Sequence, residues 1–321
     1  MSELNQGEPV IKIEELYKKY GQFIAVNKIN FEVNQGEVFG LLGPNGAGKT
    51  TTMEMIEGLR KPDSGRALVA GFDTQKQLNK VKEVIGVQLQ STSLFDLLKV
   101  KEITKMYAGF YPNPVEIEPL LKSVNLEEKM NDRVKNLSGG QKQRLAIALA
   151  LVNDPKVIFL DEPTTGLDPQ ARRTLWDIIL KLKEKGKTII LSTHYMDEAH
   201  ILCDRICLVD QGNIIALNTP QELIKSLDSQ SAVEFNLSNM KLLNDTDKKQ
   251  MEHEFGTMAA VKQVDIHHDT YVLYTDQLQE TLTDLIQQAE EKKINLADLQ
   301  TRTATLEDVF IHMTGRSLRE E

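Results

Sequence analysis

The hydrophobic pattern alternates between the short period of strands and the longer period of helices. Ile11 to Tyr17 alternates as a strand and the segment closes at Tyr20-Gly21. A second short strand around Phe31-Glu32-Val33 leads into the Asn34-Gln35-Gly36 turn. Val38 to Leu42 is a short apolar run of the kind buried in a parallel sheet, and Thr51 to Glu57 carries Met53 and Ile56 at helical spacing. Pro62-Asp63-Ser64-Gly65 makes a turn before a strand from Arg66 to Ala70, and Val84 to Leu89 reads as another strand. From Ser91 to Val134 the pattern becomes helical, with breaks at Pro112, Pro114 and Pro119, as a helical insertion in an α/β domain would show. A helix follows from Lys142 to Val152, then a strand from Val157 to Leu160. An amphipathic helix from Gln170 to Lys185 stops at Gly186, and Thr188 to Ser192 is the next strand. Arg205 to Asp210 and Asn213 to Asn218 form a hairpin around Gln211-Gly212. Thr219-Pro220-Gln221-Glu222 is a capping box with proline at the first helical position.

Asp228-Ser229-Gln230-Ser231 is the best linker, and beyond it the chain changes character. Strands are expected at Val233 to Leu237, Val261 to Ile266, Tyr271 to Tyr274 and Ile294 to Leu299. A helix falls at Asp247 to Phe255, and Leu278, Leu282, Leu285, Ile286 and Ala289 make a helical stripe. A last helix opens at Thr305-Leu306-Glu307-Asp308, with Leu306, Val309, Phe310 and Met313 on one face. The order suggests a small α+β domain of ferredoxin-like type. The expected division is an α/β domain over residues 9–227, with a helical subdomain over about 91–155, and a second domain over 228–321.

Composition and charge narrow the classes. The chain has 321 residues, enough for two domains, and a net charge of −9 that argues against a dedicated nucleic-acid binder. No apolar run approaches the about 18 residues of a membrane helix, and MSELNQGEP lacks the basic and apolar parts of a secretory signal. Cys203 and Cys207 are the only cysteines and read as two buried, inert thiols. His267 and His268 beside Asp269 read as a solvated turn. A cytosolic chain is expected.

The chemistry concentrates at the loops. Gly43-Pro44-Asn45-Gly46-Ala47-Gly48-Lys49-Thr50, with Thr51 behind it, reads G-x-x-x-x-G-K-T between a strand and a helix, the phosphate-cradling loop of nucleoside triphosphatases. Glycines let several backbone N–H groups approach triphosphate oxygens, Lys49 supplies a point charge, and the Thr50 hydroxyl suits Mg²⁺. In Leu137-Ser138-Gly139-Gly140-Gln141, Ser138 is a plausible N-cap and Gly139 and Gly140 leave N–H groups exposed, a second anion site or a simple capped helix. Asp161 and Glu162 directly follow four apolar strand residues, so they sit at the rim where α/β folds bind ligands. Asp161 can reach a Mg²⁺ shell and Glu162 can orient and deprotonate a water. His194 falls on the same rim. Tyr20 is either an ordinary half-buried aromatic or a platform for a flat base, and spacing alone favours the first.

Taken together, the phosphate loop, Gln90, Leu137-Ser138-Gly139-Gly140-Gln141, Val157 to Glu162, Gly166-Leu167-Asp168 and His194 resemble the ATPase subunits of ATP-binding cassette (ABC) transporters, over about residues 9 to 225. The resemblance implies a P-loop NTPase with a mixed central sheet and a helical subdomain, binding ATP and Mg²⁺ at a head-to-tail dimer. It implies that Tyr20 stacks on adenine, and that residues Gly43 to Thr51 hold the phosphates. Thr50 and Gln90 hold Mg²⁺, with Asp161 acting through water. Glu162 is the implied general base and His194 a clamp on the γ-phosphate. Ser138, Gly139 and Gln141 contact the γ-phosphate held by the partner's loop, with Gly140 in the same turn, and Asp168 links the two sites. The tail, Thr305 to Phe310 with Thr314-Gly315-Arg316, is similar to the ending of subunits serving drug-resistance exporters of the daunorubicin type. With no membrane segment read in the chain, the ABC resemblance implies a separate integral membrane permease and attachment at the cytoplasmic membrane face; the intact motifs favour a homodimer, and the acidic balance speaks against a nucleic-acid partner. The alternatives are a soluble ABC protein of translation or DNA repair, which would carry a second cassette or long coiled coils, and a ligand sensor in residues 230–321, which shows no convergent polar cluster.

Overall fold

The backbone N–H and C=O groups of an antiparallel hairpin pair whether or not its side chains are buried, and the first element of this protein depends on that. Strands β1 (Ile11–Tyr20) and β2 (Phe23–Val33) pair from Ile11–Val33 to Tyr20–Phe23. The apolar pattern had marked only part of each, because the outer residues of β2 are exposed and their pairing leaves no hydrophobic signal. The computed structural model describes residues 9–90, 94–227, 229, 231–238, 245–267, 270–292 and 294–315. Asp228 and Gln230 of the expected linker, Ser91, His268, Asp269 and Arg316 lie outside the described residues. The chain separates into two units between Pro220 and Gln221.

In the first unit the hairpin is followed by β3 (Val38–Leu42), α1 (Lys49–Ile56), β4 (Ser64–Val69), β5 (Phe72–Asp73), α2 (Leu78–Val84) and β6 (Ile85–Gln88). Helix α2 escaped the sequence pattern because only Val81 of its seven residues is buried. Val84 therefore ends a helix and does not begin the strand. The insertion holds α3 (Val100–Ala108) and α4 (Ile117–Ser123), with short 3-10 turns between α4 and the next helix. Then come α5 (Gly139–Ala150), β7 (Val157–Asp161), α6 (Pro169–Glu184), β8 (Thr188–Thr193), α7 (Met196–Leu202), β9 (Arg205–Asp210) and β10 (Asn213–Asn218). One antiparallel sheet runs β2-β1-β4-β5. The other runs β10-β9-β3-β8-β7-β6 and is parallel except for β10. A single apolar core joins them, with Ile11 and Leu16 from one sheet, Phe39 and Phe159 from the other, and Met53 and Ile56 of α1 buried among them. Phe31 and Phe39 stack across it with centroids 5.2 Å apart.

Cys203 and Cys207 are free and buried. Burial pushes the Cys203 thiol far above its ordinary range and the Cys207 thiol up to about 12, so neither is a nucleophile at neutral pH. No helix among the described residues is long and apolar enough to cross a membrane.

Helix α8 (Pro220–Lys225) opens at the boundary itself, and the second unit continues with β11 (Ser231–Leu237), α9 (Asp245–Gly256), β12 (Val261–His267), β13 (Thr270–Thr275), α10 (Leu278–Glu291), β14 (Leu296–Thr303) and α11 (Leu306–Thr314). Its sheet order is β12-β13-β11-β14, antiparallel throughout, with α9 and α10 each crossing over one intervening strand. Phe235, Phe255 and Tyr271 pack ring to ring at 5.3–5.5 Å in its core. Strand β14 extends beyond the expected Leu299 because its last residues are mostly exposed.

Charge is also buried in this unit. Arg302 grips the buried Asp308 with two hydrogen bonds of 2.6 and 2.8 Å and donates to Glu234 at 2.6 Å, while the Tyr274 hydroxyl donates to Asp308 at 2.7 Å. Burial works to raise the Asp308 pKa, but the donors outweigh it and hold the carboxyl below its ordinary value. A depressed pKa adds stability that is present above the unfolded value and lost as pH falls through the folded one. Arg302→Leu strands a buried carboxylate and should cost about 3–5 kcal/mol at pH 7. The deficit should shrink below about pH 4, where Asp308 in the unfolded chain is neutral. Urea unfolding of both proteins across this pH range checks it.

Candidate functional site

Parallel pairing gathers the chemistry in one place. Strands β3, β8, β7 and β6 are successive neighbours, so the loops leaving their C-terminal ends emerge on a common rim. Leu42 is registered with Thr193, Asp161 with Ser192, and Gln88 with Leu160.

The loop after β3 closes tightly. Gly46 and Gly48 sit at φ 76° and 100°, and a Cβ on Gly48 would lie 2.2 Å from the carbonyl oxygen of Ala25. A Cβ on Gly43 would lie 2.1 Å from the carbonyl of Val209. Lys49 opens α1 and is 5% exposed, its Nζ donating to the carbonyls of Gly43 at 2.8 Å and Pro44 at 2.9 Å. Burial lowers its pKa, with Glu162 and Asp161 pulling the other way. No acidic residue of α1 itself occupies its first turn, so the positive end of its dipole faces the loop. A buried ammonium, an open helix N-terminus and left-handed glycines are a donor set that fits phosphate groups.

The acids lie beside it. The Thr50 hydroxyl is 3.5 Å from Asp161 Oδ1, and the Ser192 hydroxyl donates to the same carboxylate. Burial raises the Asp161 pKa while both hydroxyls oppose the shift. A threonine hydroxyl beside a carboxylate is a pair of hard oxygen donors suited to Mg²⁺. Glu162 follows at φ 45°, an unusual backbone for a residue with a Cβ, and its N–H donates to Ser192 Oγ at 3.0 Å. Its carboxylate accepts from Thr165 Oγ1 at 3.1 Å and from Gln90 Nε2 at 3.4 Å, and it lies 3.9 Å from Lys49 Nζ. His194 Nδ1 is 3.4 Å from Glu162 Oε2, within ion-pair range but out of line for a hydrogen bond. Lys49, Thr50, Gln90, Asp161, Glu162 and His194 therefore form one cluster.

The remaining residues lie apart from it. Ser138 caps α5, accepting from the Gln141 N–H at 3.3 Å while the Gln141 side chain accepts from the Ser138 N–H at 2.9 Å. The helix therefore starts three residues earlier than the sequence pattern implied. Asp168 caps α6 through the N–H groups of Gln170 and Ala171 at 3.0 and 2.9 Å. The two starts abut, for a Cβ on Gly140 would lie 2.9 Å from that of Ala171, whereas one on Gly139 would face open space. No described hydrogen bond or ion pair joins Ser138–Gln141 or Asp168 to the Lys49 cluster. Tyr20 ends β1, is 42% exposed, and has Lys18 Nζ and Arg60 Cζ at 5.6 and 5.5 Å from its ring centre. Sequence reasoning missed Ser192 and Thr165. Only a hydroxyl near the end of an otherwise apolar strand marked Ser192.

Fold and site together define a phosphate-loop nucleotide hydrolase. The ABC transporter family model matches residues 26–165. The Nod factor export ATP-binding protein I of Rhizobium etli is 38% identical over 97% of this chain and 95% of its own length. The linearmycin resistance ATP-binding protein LnrL of Bacillus subtilis is 34% identical over 97% of this chain and 100% of its own. Among solved structures, cbiO1 of Clostridium perfringens, part of the ABC transporter complex cbiONQ, has a TM-score of 0.62 at 32% identity, covering 68% of this chain and 91% of that one. The dimeric cassette MJ0796, in a post-hydrolysis state with ADP and Pi, has a TM-score of 0.59 at 29% identity, covering 65% and 98%. This chain belongs to the ATP-binding subunits of ABC transporters, which bind ATP with Mg²⁺ and hydrolyse it.

Gly48→Ala adds a methyl group where the carbonyl of Ala25 stands and at a φ that disfavours it. The loop must open, and ATP affinity measured by calorimetry should fall at least about tenfold, roughly 1.4 kcal/mol, with the far-UV dichroism unchanged.

Proposed function

We propose that this chain is the energy-coupling subunit of an exporter, with two copies head to tail around two ATP molecules and a separate membrane permease at the cytoplasmic face. The observation that carries the dimer is the separation of anion-receptive ends. The Lys49 cluster offers a cation and oxygen ligands for one face of a triphosphate, while the Ser138–Gln141 end shares no described hydrogen bond or ion pair with it. A two-fold arrangement gives each end the other's partner. The dimeric state of MJ0796 supports this. Export is supported by the relatives named for Nod factor export and linearmycin resistance.

In this reading Gly43 to Thr51 and Lys49 bind the phosphates, and Tyr20 carries the adenine. Thr50 and Gln90, with Asp161 through a water, hold Mg²⁺, which when bound neutralises charge on the triphosphate oxygens. Glu162 takes a proton from the attacking water as the terminal P–O bond breaks, and His194 holds the transferred phosphoryl group. Ser138, Gly139, Gly140 and Gln141 of one copy face the nucleotide of the other, with Asp168 alongside. A groove of about 570 Å³ beside Gln90, walled by Leu89, Tyr107, Phe110 and Leu149, supports docking of the permease between the sheet and the helical insertion.

Glu162→Gln should bind ATP as the wild type does, run as a dimer on gel filtration with Mg-ATP, and turn over at least about 100-fold more slowly. Wild-type hydrolysis by this variant would overturn the general-base assignment. Tyr20→Ala should raise KM for ATP roughly fivefold or more at unchanged kcat, and an unaltered KM would remove the stacking role.

A further inference from the structure

Glu57 ends α1 inside the groove just described, and no step of ATP hydrolysis uses it. It is 2% exposed and its Oε2 is buried without a hydrogen-bond partner among the described residues. An unsatisfied buried acceptor is unfavourable, because no hydrogen bond offsets its lost hydration. Its position at the C-terminal end of α1 adds the unfavourable end of the helix dipole to that cost. The surrounding charges do not relieve it. Asp161 on β7 and Glu54 on α1 repel its charged form, and Glu54 is already engaged by Arg60 at 2.5 Å. Lys82 and Glu83 on α2 line the same groove with opposite charges, and the residues of the helical insertion that line it, Tyr107, Phe110, Tyr111 and Leu149 among them, are apolar or phenolic and carry no charge. Burial, followed by the two carboxylates, raises the Glu57 pKa to about 8.

We propose that Glu57 is the receptor for a lysine or arginine on the docking segment of the permease, a helical turn that sets apolar side chains against Leu89 and Phe110 and its cation against this carboxylate. The inference rests on the permease reading above and adds the group that recognises the partner. Charge complementarity singles out this occupant. An entirely apolar segment would leave Oε2 unpaired, and an acidic one would place a further negative charge beside three carboxylates. Leu89, 44% exposed, and Phe110, 73% exposed, are apolar surface that such a segment would cover.

The pairing has a proton signature. In the free subunit the carboxyl is largely protonated at pH 7, and a cation against it lowers its pKa, so docking releases a proton. Affinity should therefore rise with pH between about 6 and 8, by up to about tenfold per unit. The cation stays charged over this range.

The test uses the full-length chain and the permease that co-purifies with it from detergent-solubilised membranes of its own organism, the permease then being reconstituted alone in nanodiscs. Calorimetry at pH 7 in buffers of different ionisation enthalpy reads both Kd and proton release. Wild type should release close to one proton. Glu57→Gln should release none, bind about ten- to a hundredfold more weakly and lose the pH dependence, with basal ATPase activity retained. Glu57→Lys should abolish binding, and a permease lysine or arginine changed to Glu should restore it. If Glu57→Gln binds with the wild-type Kd and proton count, the receptor assignment fails while the permease reading stands. If no permease accompanies the wild-type chain, both fail.

Discussion

Parallel pairing of β3, β8, β7 and β6 is the constraint on which the active end of this protein depends. A parallel ladder sends every loop that leaves a strand's C-terminal end from one edge, so residues more than a hundred positions apart in sequence reach the same few ångströms. Lys49 and Glu162 approach to 3.9 Å only because β3 and β7 flank β8 in register. The second, antiparallel sheet contributes no acid to this cluster. It covers the core that fixes the first sheet, and its hairpin presents Tyr20 at its tip.

The cluster keeps charged groups ready for partners outside the protein. Lys49 is folded onto its own loop carbonyls, and His194 Nδ1 stands close to Glu162 without a hydrogen bond. Ser192 stabilises the acids by serving both, with its hydroxyl on Asp161 and its oxygen receiving the Glu162 N–H. One side chain thus fixes the spacing between the residue proposed for the metal and the residue proposed for the water.

Much of this was legible in the sequence. The loop from Gly43 to Thr51 is readable because its geometry demands particular residue types, and the buried strands β3, β7 and β8 are readable from their short apolar stretches. The outer half of β2 and the end of β14 were not, since exposed strands owe their existence to backbone pairing and leave no period behind. Helix α2 buries too little to show a stripe. Ser192 and Glu57 were missed for another reason. A serine near the end of a strand and a glutamate at the end of a helix look solvated until Asp161, or Leu89 and Tyr107, are brought over them from distant parts of the chain. Burial of a polar group is a property of topology, and local spacing does not encode it.

The contact between Gly140 and Ala171 carries a mechanical meaning. With no side chain at position 140, the start of α5 comes up against the Ala171 methyl of α6, closer than a residue with a Cβ would allow. Ala171 lies three residues after the Asp168 cap, so the glycine brings the two capped helix starts side by side. Any side chain at position 140 would wedge these two starts apart.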